Sequence, residues 1–349
     1  MKFFHKALGL TLTALLLVPF FSQVSAAQPL KEAAPSTVNA AAGKKDPSMT
    51  LDFSKEDAAQ KIILSAETLS DYYKTRKDQD LVYHVKGKMV SFLLSANLDV
   101  NGQIHLSPYS VSHSVGTVRT ESLGGKQAAS VPIEIYTEET PDAYVTYAKE
   151  KDLWVKDTVP KESDAAPLDM AAVKDFMSRS IRSAHVLSQD GGKEVILFRV
   201  DASEPLIGKA TSKGILKYIG GSEEPLPDKY QKRFLDALAQ QNYLVTIDEK
   251  THLPVSYDAD FTELVRTTIL IQKEAEEEKR GKKLSTTQQA MATAFLESLS
   301  LKFHMDLSSE RGKAIVIPKD VRSTKEEKKK EATRPAKEKN VPNSLHKAS

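Results

Sequence analysis

The feature that most constrains this chain is the stretch 81–158, where apolar and polar side chains alternate with a period of two. Leu81, Tyr83 and Val85 alternate with Val82, His84 and Lys86, and Met89 to Val100 continues the pattern. Asn101-Gly102 has the composition of a hairpin turn, and Ile104 to Thr120 alternates again. Gly124-Gly125 and Pro141-Asp142 are further turn signals, around Val131 to Thr137. Ala143 to Ala148 and Leu153 to Lys156 then form a hairpin about Lys149–Asp152. This pattern predicts an antiparallel meander of five or six strands, with one face wet and one covered.

Helical spacing surrounds the meander. Ser54 to Lys77 reads as a helix with Ser54 as its N-cap and Asp57 three residues on. Asp169 to Leu187 reads as a helix carrying Phe176 and Met177. Asp190-Gly191-Gly192 turns into a strand at Glu194–Val200, and Pro205–Ile219 and Pro227–Gln241 are predicted helices. Tyr243–Asp248 and Pro254–Leu264 form a strand pair around Glu249-Lys250. Glu274–Lys283 reads as an insertion or exposed helix, Thr286–Leu296 as a helix and Ser300–Leu307 as a strand. Strands and helices are not regularly interleaved, which argues against a parallel doubly wound sheet. The expected fold is α+β, an antiparallel sheet with one face covered by the helices around 176, 234 and 291.

The ends have a different composition. Lys2, His5 and Lys6 precede an uncharged run from Ala7 to Phe21, and Val24-Ser25-Ala26 supplies a small-residue cleavage pattern before Ala27. Residues 1–26 therefore read as a signal peptide cleaved between Ala26 and Ala27. The run is about 15 residues, shorter than the roughly 20 that a spanning helix needs. Residues 27–50 read as a flexible linker, 51–323 as one domain and 324–349 as a disordered basic tail. The full chain of 349 residues carries a net charge of +2. The signal accounts for +2 and the tail for +4, which leaves 27–323 at −4. The tail reads as solubilising, and its charge also suits an anionic cell-wall polymer or membrane surface.

The chain has no cysteine, so disulfides, thiolate metal sites, thiol nucleophiles and a cysteine-linked lipid anchor are excluded. The expected location is extracytoplasmic: periplasm, cell envelope or secreted. No phosphate-binding loop, nucleophile elbow, zinc-protease helix or calcium loop occurs. His84, His105 and His113 lie in the meander without metal-ligand spacing, and the carboxylates are scattered. The reading is a non-enzymatic monomer with no catalytic residue, metal, cofactor or nucleic-acid partner.

The order of elements resembles the bacterial LolA-like lipoprotein-carrier fold, which LppX-like proteins share. The motifs that carry the resemblance are Ile133-Glu134-Ile135-Tyr136-Thr137, Ala143-Tyr144-Val145-Thr146-Tyr147 and Leu153-Trp154-Val155-Lys156. They are followed by Tyr243-Leu244-Val245-Thr246-Ile247-Asp248-Glu249-Lys250-Thr251-His252-Leu253-Pro254-Val255 and by Ile315-Val316-Ile317-Pro318-Lys319-Asp320-Val321. The resemblance implies a strongly curved antiparallel sheet, an incomplete barrel, with helices in its concave face. It further implies an apolar partner held between sheet and helices, either a lipid or the acyl chain of a lipidated protein. Tyr136, Tyr144, Trp154, Phe176, Tyr257 and Phe261 are the candidate lining residues. The alternative reading is a structural or interaction module of the cell envelope, with a fully packed sheet and a tail bound to anionic polymer.

Overall fold

A computed structural model describes residues 53, 56–76, 78–106, 109–122, 128–150, 152–161, 180–201, 227–281, 285–312 and 314–325. Its strands are β1 (Gln79–Val90), β2 (Leu94–His105), β3 (Val111–Ser122), β4 (Ala128–Glu139), β5 (Ala143–Glu150), β6 (Leu153–Pro160), β7 (Ile181–Asp190), β8 (Lys193–Val200), β9 (Tyr243–Asp248), β10 (Pro254–Asp260) and β11 (Ser300–Arg311). The helices are α1 (Ala58–Thr75), α2 (Asp228–Ala239), α3 (Thr262–Arg280), α4 (Thr286–Ser298) and α5 (Lys319–Arg322).

All eleven strands join one antiparallel sheet in the order β6-β5-β4-β3-β2-β1-β11-β10-β9-β8-β7. It is a curved sheet with helices, not closed into a barrel. The first six strands form the meander that the alternation predicts. The remaining strands form a second run, and the two are joined where β1 pairs with β11 along their full lengths, Gln79 opposite Arg311 and Val90 opposite Ser300.

Alternation sorts the side chains onto two faces. On the concave face, Leu81, Val85 and Met89 of β1 stand beside Leu301, Met305 and Leu307 of β11 and Leu98 and Val100 of β2. Leu69 and Tyr73 of α1, Phe234 and Leu238 of α2, and Leu264 and Ile271 of α3 cover them. The N-terminal half of α1 places Ile62 and Ile63 on Ile196, Phe198 and Val245. Within that contact, Lys61 Nζ lies 2.8 Å from Glu194 Oε1, and both side chains are buried. Gln189 Nε2 donates to the same oxygen at 3.0 Å.

The convex face is charged over β1, β2, β10 and β11. Over β4–β6 it is covered by the closing segment, where Ile317 and Val321 pack on Tyr136, Val145 and Tyr147. Arg322 Nη2 donates to Glu138 Oε2 at 2.8 Å, and Tyr147 Oη donates to Glu138 Oε1 at 2.9 Å.

Several expectations are corrected. Asn101-Gly102 does not turn but lies inside β2. Gly102 faces Tyr83, and a Cβ there would stand 2.0 Å from the ring's Cζ. The missing side chain makes room for the Tyr83 ring to reach over the strand to Ser114 Oγ, 2.5 Å away. The reversal falls instead at Ser91–Leu93, where Ser91 N donates to Leu94 O at 2.8 Å.

Residues 181–187 belong to a strand, not to a helix that runs from Asp169 to Leu187. Two register shifts, between Ile181 and Ser183 and between Val186 and Ser188, break its alternation, so its apolar spacing mimics a helix. The rest of that predicted helix, and the one at 205–219, lie outside the described residues, as does Gly124-Gly125. The strand that begins at Pro254 ends at Asp260, and α3 follows at once. Asp260 Oδ1 accepts from Thr262 N at 3.0 Å. Of the two alternatives for Glu274 onward, the exposed helix holds: Glu274 to Arg280 is the end of α3 and not an insertion.

The N-cap of α1 is Asp57, which accepts from Gln60 N at 2.8 Å, in place of Ser54. Finally, the helix around 291 covers the sheet only marginally: none of its residues is buried, and the half-buried Phe295 is its contribution to the core.

The buried pair predicts a sharp asymmetry. Glu194→Ala should cost about 3–5 kcal/mol in urea unfolding, because it leaves Lys61 buried without its partner. Lys61→Met combined with Glu194→Leu should restore most of that loss.

Candidate functional site

The structure does not bring the six candidate residues into one groove. Tyr257 and Phe261 come together in the core between sheet and α3. Phe261 is 1% exposed, and its ring lies 5.6 Å from Phe303 and 6.0 Å from Tyr243. Val85, Met305 and Tyr257 complete a void of about 30 Å³. That is room for about one water molecule and not for an acyl chain. Burial raises the hydroxyl pKa of Tyr243 and of Tyr257 above the ordinary phenol value.

Tyr136 and Trp154 sit on the opposite, convex face, with ring centroids 5.7 Å apart, beneath the closing segment. Tyr144 is on the concave face, on the meander side. Lys161 Nζ lies 5.5 Å from its ring centre and 2.7 Å from the buried Glu139 carboxylate. Phe176, Ala26 and Ala27 lie outside the described residues.

The register shows a surface that the aromatic pattern missed. Val131, Ile133 and Ile135 of β4 stand opposite Val118, Gly116 and Ser114 of β3. Ile135 is followed across the sheet by Ala148 of β5 and Val155 of β6. All lie on the concave face, in continuation of the core. Ile133, Ile135, Ala148 and Val155 are half-buried, Val131 is 49% exposed and Leu153 is 74% exposed. On this face the main packing of α1, α2 and α3 falls on β1, β7, β8, β10 and β11, and only Ile133 of these residues packs against the helix-covered core. The result is an apolar strip bounded by the packed core on one side and by the polar Lys161–Glu139–Tyr144 cluster near its end. The signal was present in the alternation of Val131, Ile133 and Ile135, but only the register shows that Ala148 and Val155 extend it.

The convex face offers paired histidines. His84 lies 2.9 Å from Asp99, His105 2.7 Å from the buried Asp80, and His113 3.6 Å from Glu134 while stacked on Tyr136. His304 sits between Asp258 at 2.7 Å and Asp306 at 2.9 Å. Among the described residues no group of three or more such side chains could hold a metal ion.

Desolvation lowers the His304 pKa, but hydrogen bonds to Asp258 and Asp306 outweigh it and leave the value above the ordinary 6.5. A histidine that binds its proton more tightly when folded stabilises fully below pH 6.5 and loses that contribution as pH rises through the raised value. His304 is 38% exposed, so solvent screening holds the effect below about 1 kcal/mol. Urea midpoints measured from pH 6 upward should fall in this window, and His304→Gln should remove that part of the slope.

No family model matches the chain, and no curated protein matches it. The solved structure of LprF from Mycobacterium bovis is similar at 12% identity, covering 74% of this chain and 95% of that chain, with a TM-score of 0.33.

Proposed function

We propose that this is an exported, non-enzymatic binding protein of the lipoprotein-carrier-like kind, which holds a hydrophobic ligand on the concave face of β3–β6. The single observation that carries the reading is the strip Val131–Ile133–Ile135–Ala148–Val155. It continues the core face of the sheet yet stays partly open. Contiguous apolar surface rimmed by polar groups suits a ligand whose own apolar area leaves water on contact. Each buried methylene would contribute about 0.8 kcal/mol, so a single acyl chain can supply the affinity without directed chemistry. The Lys161–Glu139 pair and the Tyr144 ring at the end of the strip suit the polar head of such a molecule. The tight packing around Tyr257 and Phe261 favours a ligand on the strip over one inside the core.

The test is titration with a fluorescent fatty-acid probe whose emission rises in apolar surroundings. Wild-type protein should bind it saturably. Ile135→Glu should lower the affinity at least about tenfold, the equivalent of about 1.4 kcal/mol, while its urea midpoint stays close to wild type. Equal binding by both proteins would remove the strip from the account.

A further inference from the structure

We propose that one end of the sheet docks on a lipid bilayer that carries anionic headgroups. This is a contact distinct from the apolar-ligand strip, and it can be read without any ligand. Because neighbouring strands alternate in direction, the β1–β2 turn and the junction of α4 with β11 share one end of the sheet. Exposed large apolar side chains collect there. Val90 is 37% exposed, Phe92 39%, Leu93 44% and Met291 54%. The Phe92 ring meets Phe295 of α4 at 6.5 Å, and Phe92 N donates to Ser298 Oγ at 2.9 Å, so turn and helix form one apolar projection.

Helix α4 is unusual for one that touches so little. None of its residues is buried, yet Glu297 is its only charged residue in thirteen, in a chain that is 28% charged. Its remaining polar groups are hydroxyls and amides, which enter a headgroup layer at low cost compared with ionised groups.

The convex face beside this projection supplies the charge. Lys88 stands directly opposite Lys302, and on the other side Asn97 leads from Lys88 to Arg119. Like charges placed opposite each other on one face repel, and anionic headgroups would relieve that cost. Asp260, 3.8 Å from Lys302, is the acid in that row, and Glu121 lies one row nearer the tip. The row stands two residues beyond Val90. That is about 7 Å along the strand, the depth separating headgroup charge from the acyl boundary at an interfacial site. Among the described residues no helix is long and apolar enough to cross a membrane; the contact proposed is a peripheral one.

The lack of cysteine makes the test clean. Phe92→Cys, Met291→Cys and, at the opposite end of the sheet, Leu187→Cys are each labelled in the full chain with an environment-sensitive fluorophore. They are then mixed with phosphatidylglycerol–phosphatidylcholine vesicles containing doxyl-labelled lipid. The proposal predicts a blue shift and quenching at 92 and 291 but not at 187, with a smaller response on phosphatidylcholine alone. The same response at all three positions, or at none, overturns it. So does an equal response on both vesicle types. A blue shift that grows with protein concentration without vesicles would show two copies meeting at this end, and would also overturn it.

Discussion

The structure depends on the pairing of β1 with β11. Twelve residues from each strand pair in unbroken register, from Gln79–Arg311 to Val90–Ser300, across more than two hundred residues of chain. On one side of this seam six strands follow one another as a meander. On the other, β11 leads through β10, β9 and β8 to β7. Without the seam the chain would be two sheets with open edges, each exposing an unpaired row of backbone groups. With it, the apolar residues of both halves make one surface, which α1, α2 and α3 cover from β1 to the β7 edge.

That division of labour explains the two faces. The helices seal the concave face where β1, β10 and β11 meet, and Phe234, Phe261 and Phe303 fill it almost completely. Beyond β2 the same face runs on as Val131, Ile133 and Ile135, partly open. On the convex side, the segment that carries Ile317 and Val321 covers the aromatic residues of β4–β6 and anchors through Arg322 to Glu138. The two ends of the domain are thus used on opposite faces, α1 on the concave and the closing segment on the convex.

The fold class and most elements were legible because period-two alternation survives wherever a strand has one wet face, as in β1, β5 and β11. It failed at β7, where two bulges shift the register, and at Gly102, where a glycine that looks like a turn residue instead gives space to Tyr83. Phe261 was assigned to a strand because a one-residue change from β10 to α3 leaves no turn signal. The candidate site was less legible still. Tyr136 and Trp154 are one residue out of phase with Ile135 and Val155, and that one-residue offset places them on the other face. Aromatic content marked the residues that pack, while the open strip is built from Val, Ile and Ala, which look like ordinary core until the register shows what covers them.

The most direct test of the central claim, that the protein carries an apolar molecule, is lipid mass spectrometry of an organic-solvent extract of protein purified from its own host. The account predicts an acyl-chain-containing molecule recovered in proportion to protein and depleted from Ile135→Glu protein purified in parallel. An extract with no such molecule, or equal recovery from both proteins, would contradict it.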